Sequence, residues 1–256
     1  MSEESRNIIE LSNSNLKNAV RKALKKPEGS IYLSEAKNKH TLKLPDEGIK
    51  KLEGIQYFTN LKWLSLRQNK IYDIGKLCHL EKLEMLHLGS NRVSDTNPLK
   101  SLQQLEVLIL NFNELENISP LKELNRLKKL DLSNNNIKDI SSLAALKNLR
   151  ELDISNNRIQ NITPLSRLKK LKKLDFSSNQ VESISPLFLL TNLENLNFSD
   201  NEVKSISALV DNFGFGSGDY IDLRRNKLDS EDFSQYKENI KKLEQRGVYI
   251  TYKPQK

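Results

Sequence analysis

The chain is poor in the residues that small folds use as staples and anchors. Of its 256 residues one is cysteine, Cys78, so no internal disulfide can form and a reducing compartment suits it. Aromatic residues make up only 6%, with a single tryptophan, Trp63. No run of about 18 apolar residues occurs, which leaves no candidate for a membrane-spanning helix. The opening MSEESRNIIELSNSN has neither a basic start nor an apolar middle, so no secretory signal is read there. A cytoplasmic protein is therefore expected, with a secreted or surface protein whose signal has been removed as the alternative. The histidines, His40, His79 and His87, are scattered, without an H-E-x-x-H pair or the Cys–His spacing of a zinc site. GFGSG lacks the lysine and the strand-to-helix setting of a phosphate loop and is better explained as a turn. No catalytic activity, cofactor or metal is expected. The formal charge of +8 leans toward acidic partners and says nothing of the fold.

What the chain does have is asparagine at a fixed period. Asn69, Asn91, Asn113, Asn135, Asn157, Asn179 and Asn201 are each 22 residues apart, and Asn226 follows after 25. Each of the seven closes the same frame, among them LKWLSLRQN, LEVLILNFN, LRELDISNN and LENLNFSDN. An Ile, Val or Leu follows two residues later. This L-x-x-L-x-L-x-x-N-x-L frame is the leucine-rich repeat signature. In it the leucines of a short strand point to one side and the residues between them to the other. One repeat cannot bury its leucines alone, but stacked copies form a continuous apolar spine. The asparagine amide both donates and accepts, so a column of them can satisfy turn backbone groups between neighbouring repeats. ENISPL, QNITPL and ESISPL then return, with Pro120, Pro164 and Pro186 suiting an extended or single-turn path too short for a long helix.

The ends depart from the frame, as solenoid ends must. TLKLPDEGIKKLEGIQYFTNL keeps the phase but places Glu47 where the asparagine belongs. Upstream, Leu16, Ala19, Val20, Ala23 and Leu24 lie at helical spacing, with Asn13 or Ser14 as N-cap. EDFSQYKENIKKLEQRG reads as a closing helix and VYITY as a last strand. These end segments, together with the N-x-I-x-x-I-x-P-L return, resemble bacterial leucine-rich repeat proteins of the internalin type. That resemblance implies partner binding through the concave face without naming the partner. The expected fold is an α/β leucine-rich repeat solenoid, with a curved parallel sheet on the concave face and extended or 3-10 segments on the convex face. A helical cap over 1–40, repeats over 41–210 and a helix–strand cap over 211–256 are expected.

Alignment of the repeats separates two kinds of exposed strand position. One column reads Trp63, Met85, Val107, Lys129, Glu151, Lys173, Asn195 and Tyr220; the next reads Ser65, His87, Ile109, Asp131, Asp153, Asp175, Asn197 and Asp222. The N-terminal third is apolar and the remainder polar. Neighbouring exposed apolar side chains across several strands are what soluble monomers avoid unless something binds there. Cap packing, self-association or mere tolerance are the plainer readings of the same patch. The expected partner-binding set is Trp63, Ser65, Arg67, Met85, His87, Val107, Ile109 and Asn111, then Lys129, Asp131, Glu151, Asp153, Lys173 and Asp175. For the aspartate column a solvated face, offset by Lys129 and Lys173, is the expected role rather than a metal site. Phe112 stands where other repeats have Gln68, Ser90 or Asn134; strand parity allows it to tuck toward the core edge or to face a partner. Lys122, Arg126, Lys128, Arg167, Lys169, Lys170 and Lys172 would line a basic edge, without the interleaved aromatics of nucleic-acid binders. A protein or peptide partner on the concave face is the leading expectation, and a scaffold that meets an acidic membrane or nucleic acid through the basic edge is the alternative.

Overall fold

A computed structural model describes residues 7–228 and 233–252. The start of the expected closing helix, Glu231 and Asp232, lies outside the described residues, as do 1–6 and 253–256 at the outer ends of the expected caps. The chain forms two compact units, one up to Leu127 and one from Lys128.

In the first unit, helix α1 (Ser14–Leu24) begins at Asn13, whose side chain accepts from the Leu16 N–H at 2.9 Å, and ends at Lys25 in the left-handed conformation. Its Leu16, Ala19 and Val20 are buried, and Lys22 pairs with Glu47 at 2.9 Å. A five-residue helix, α2 (Leu33–Lys37), follows. Strands β1 (Thr41–Lys43), β2 (Trp63–Ser65), β3 (Met85–His87) and β4 (Val107–Ile109) then pair in parallel in chain order. The returns contain five-residue 3-10 turns at Gly75–His79, Asn97–Ser101 and Ser119–Glu123. A 22-residue period leaves space for one such turn and no more.

The second unit repeats the plan through β5 (Lys129–Asp131), β6 (Glu151–Asp153), β7 (Lys173–Asp175) and β8 (Asn195–Asn197). It closes with α3 (Ser207–Asp211), β9 (Tyr220–Asp222), α4 (Phe233–Gln245) and β10 (Tyr249–Thr251), the last strand pairing in parallel with β9.

The middle residue of each strand feeds the core. Leu64, Leu86 and Leu108 in the first unit, and Leu130, Leu152, Leu174 and Leu196 in the second, are 0–2% exposed. Each such burial contributes about 1.5–3 kcal/mol. Phe176 and Phe198 replace leucine two residues further on and stack with ring centroids 5.8 Å apart.

The asparagines complete the polar side of the core. Asn69 Oδ1 accepts from the N–H groups of Glu47 and Ile49, and its Nδ2 donates to the carbonyls of Leu44, Leu66 and Arg67. In the second unit Asn157 accepts from Ile137 N–H at 3.0 Å and donates to Leu132, Ile154 and Ser155. Asn91, Asn113, Asn179 and Asn201 make the same pattern, each reaching a carbonyl 25 residues earlier. Asn135 donates to Leu132 and Ser133. For Asn226 the reach is 28 residues, to Phe198, and the bond is still 3.0 Å.

The residue before each asparagine is left-handed: Gln68, Ser90, Phe112, Asn134, Asn156, Ser178, Asp200 and Arg225 all have φ between 51° and 57°. This answers the question over Phe112. A left-handed residue leaves the strand's in–out alternation, so parity does not govern it, and Phe112 is exposed at 55%.

Candidate interaction face

The register of the first unit brings the expected apolar residues into two rows. Trp63 lies opposite Met85 and Met85 opposite Val107; Ser65 lies opposite His87 and His87 opposite Ile109. Because Leu64, Leu86 and Leu108 point inward, both rows lie on the sheet's other face. Trp63 is 37% exposed, while Met85, His87, Val107 and Ile109 are half-buried against one another. Asn111 extends the face past the end of β4, its Oδ1 lying with His87 Nε2 against Gly89.

Two features of this face add to what strand parity assigns. The Lys43 Nζ sits 4.0 Å from the Trp63 ring centroid, a cation–π contact that holds the indole in place. Gly89 leaves a notch that its neighbours fill: a Cβ there would lie 2.1 Å from Asn111 Oδ1 and 2.9 Å from His87 Nε2. The signal for the notch was present, since the aligned positions in later repeats are Ser133, Ser155, Ser177 and Ser199. At the rim Lys62 pairs with Glu84 at 2.8 Å, whereas the exposed Arg67 and Lys43 meet no carboxylate among the described residues. Ser65 is only 8% exposed, in register between Lys43 and His87, and so offers less surface than the other expected contact residues.

The face of the second unit is polar and largely satisfied from within. Glu151 takes Lys129 at 2.9 Å and Lys173 at 3.1 Å, and these two, Lys129 first, hold its carboxyl below the usual range against the opposing effect of burial. The lysines therefore serve Glu151 and do not offset the aspartate column as expected. Asp131, Asp153 and Asp175 instead each accept from the backbone N–H and hydroxyl of the serine two residues on: Ser133, Ser155 and Ser177. Asn197 binds Ser199 in the same way and donates to Asp175 at 2.7 Å. Burial pushes the Asp153 carboxyl up, with Asp131 and Asp175 adding to the rise and the Ser155 bonds opposing it. The column borders a shallow depression of about 220 Å³. Among the described residues no group of three or more His, Cys, Asp or Glu converges as a metal site.

Several cations of the expected basic edge are also engaged. Arg126 meets Gln104 and Glu106 in the first unit. In the second, Lys172 pairs with Glu194, Lys170 donates to Asn148 and Lys169 donates to the Leu189 carbonyl.

The sequence matches the family of Leucine Rich repeats (2 copies) over residues 59–101, 82–123, 103–145, 125–167, 147–189 and 169–211. The structure is similar to internalin C2 of Listeria monocytogenes at 34% identity, with a TM-score of 0.76 over 79% of this chain and 90% of that one. The chain belongs to the leucine-rich repeat family, in its internalin-like form. A leucine-rich repeat protein of Leptospira interrogans shares the fold at 23% identity and a TM-score of 0.74, over 88% of this chain and 58% of that one. So does the leucine-rich repeat ectodomain of a membrane receptor kinase of Arabidopsis thaliana, solved in complex with Casparian strip integrity factor 2. Its identity is 22% and its TM-score 0.63, over 77% of this chain and 25% of that one. No curated protein matches the sequence. Internalin-like repeat proteins are interaction modules, and no helix among the described residues is long and apolar enough to cross a membrane.

Proposed function

We propose that this internalin-like protein is a non-catalytic module that holds a protein or peptide on the exposed strand face of its first unit. The observation that carries the reading is the in-register apolar surface of Trp63, Met85, Val107 and Ile109. Trp and Met are typical of interface centres. The Lys43 contact fixes the indole before any partner arrives, and the strands are tied to their neighbours, so little ordering entropy is lost on binding. Arg67, His87 and Asn111 supply polar contacts beside the apolar centre. The fitting partner is an apolar segment with a carboxylate placed to meet Arg67 or Lys43. On the second unit Lys129, Asp131, Glu151, Asp153, Lys173 and Asp175 already bind one another or nearby serines, so any contact they make would be a separate, polar and salt-sensitive one.

The test is capture from extracts of the source organism and its host with wild type and with Trp63→Ala combined with Ile109→Asp, after a thermal melt establishes that both fold. A species retained by wild type in high salt and absent from the variant is the expected result. Recovery of the same species by both baits, stripped from both by salt, would refute the apolar face and point to the cations of the edge.

A further inference from the structure

The second unit carries a separate apolar feature on its return side, away from the strand face. Phe213 is 85% exposed, and Phe188 and Leu189 are 48% and 39% exposed. The aligned positions one repeat before Phe188 and Leu189 are Ser166 and Arg167, so these are local departures from a polar pattern. The loop that presents Phe213 is firmly tied down. Asn212, 1% exposed, donates to the carbonyls of Leu187 at 2.8 Å and Leu190 at 3.2 Å, and its Oδ1 accepts from Gly214 N–H at 2.8 Å. Gly214 lies so close to the preceding turn that a Cβ would fall 2.1 Å from the Thr191 carbonyl oxygen. Phe215 is buried at 2%. Everything around Phe213 is anchored, and the ring itself is held outward.

Cations are interleaved with these side chains. The Arg246 guanidinium lies 5.4 Å from the Phe213 ring centroid and donates to the carbonyls of Val210 and Asn212. Lys169 donates to the Leu189 carbonyl at 3.0 Å. Both bind neutral oxygens, so their charge is not cancelled, and Arg167 meets no carboxylate among the described residues. Asp211 is the acidic group on the same turn. A protein interface gathers its apolar residues into a packed centre with charge at the rim. Here Phe213 has Arg246 beside its ring and Leu189 has Lys169 at its carbonyl, with Phe188 next to Leu189 in the chain, the pattern of segments that lie in a bilayer's headgroup region.

We propose that Phe188, Leu189 and Phe213, with Arg167, Lys169 and Arg246, form a docking surface for an anionic phospholipid bilayer, independent of the partner face on the first unit. The aromatic rings enter the boundary between headgroups and acyl chains while the cations meet lipid phosphates.

The experiment is co-sedimentation with vesicles of phosphatidylglycerol and phosphatidylcholine, against phosphatidylcholine alone. Wild type is expected to bind the anionic vesicles at least about tenfold more tightly, and Phe213→Ser combined with Phe188→Ser to lose about tenfold. The melt of that variant should match wild type, both rings being exposed. A Phe213→Trp variant in a Trp63→Phe background keeps the test open should the double variant unfold: its emission should shift to the blue with anionic vesicles. Equal binding to both vesicle types, unchanged binding by the double variant, or unshifted emission each overturns the proposal. A wild-type dimer in ultracentrifugation that Phe213→Ser dissociates also overturns it, assigning the surface to a second copy of the chain.

Discussion

Replacing Asn157 by alanine tests whether the asparagine ladder holds the repeats in register. The side chain makes four bonds, of unequal consequence. Ile137 N–H donates to Asn157 Oδ1 alone, so the substitution orphans a buried donor, at about 1–3 kcal/mol. The Leu132 carbonyl keeps a bond from Asn135, and that of Ile154 keeps one from Asn179, so each loses one of two donors, at about 0.5–1.5 kcal/mol. A total of about 2–6 kcal/mol is expected for Asn157→Ala. Gln160→Ala, which removes only an exposed bond to Gln180, should stay within about 0.5 kcal/mol. Urea unfolding followed by circular dichroism measures both. Asn157→Asp sharpens the test, because it keeps an acceptor but turns a carboxylate toward three carbonyl oxygens. Burial raises that carboxyl's pKa above its unfolded value, so the folded state takes up protons and the variant regains stability as pH falls. It should be weaker than Asn157→Ala at neutral pH, with the gap narrowing in acid. A loss under about 1 kcal/mol for the alanine variant would refute the argument and leave apolar packing as the sole register device.

Asp153→Asn should stabilise the protein at neutral pH: asparagine can accept from Ser155 as Asn197 does from Ser199, without a desolvated charge between Asp131 and Asp175. The raised Asp153 pKa means that wild type loses stability as pH rises from the unfolded to the folded value, so the advantage of the variant should vanish below the carboxylate range, as melts across pH would show. Gly214→Ala should cost at least about 1–3 kcal/mol, since the added Cβ meets backbone atoms of Thr191 that no rotamer change can clear; a melt within a degree of wild type would contradict it.

The scaffold was legible because a 22-residue frame constrains every level at once: strand parity, return length and ladder position. Which side chains reach solvent was less so. Parity assigns a face but is silent on how much of each side chain reaches solvent there, hence Ser65, largely buried in register between Lys43 and His87. Charges were misassigned for a related reason. Lys129 and Lys173 share their strand position with Glu151, and register brings those three together, while the aspartates turn to serines on their own chain. The left-handed position before each asparagine was visible as Gln, Ser, Asn and Asp, and Phe112 stood out there as the residue least suited to it. Phe188 and Leu189 could have been found by aligning the returns as carefully as the strands.

The reach of the ladder also constrains how such a chain can change in length. Most ladder asparagines bond a carbonyl three residues back and another 25 back, one period further. Removing or duplicating a whole 22-residue cassette therefore returns every amide to an equivalent acceptor, while a slip of one or two residues in a return strands the amides on both sides. The last repeat marks the tolerated exception: Asn226 reaches 28 residues back because its three extra residues are taken up in the glycine-containing loop around Phe213. Length can drift there without disturbing the ladder, which makes that loop the natural place for the protein to acquire new surface.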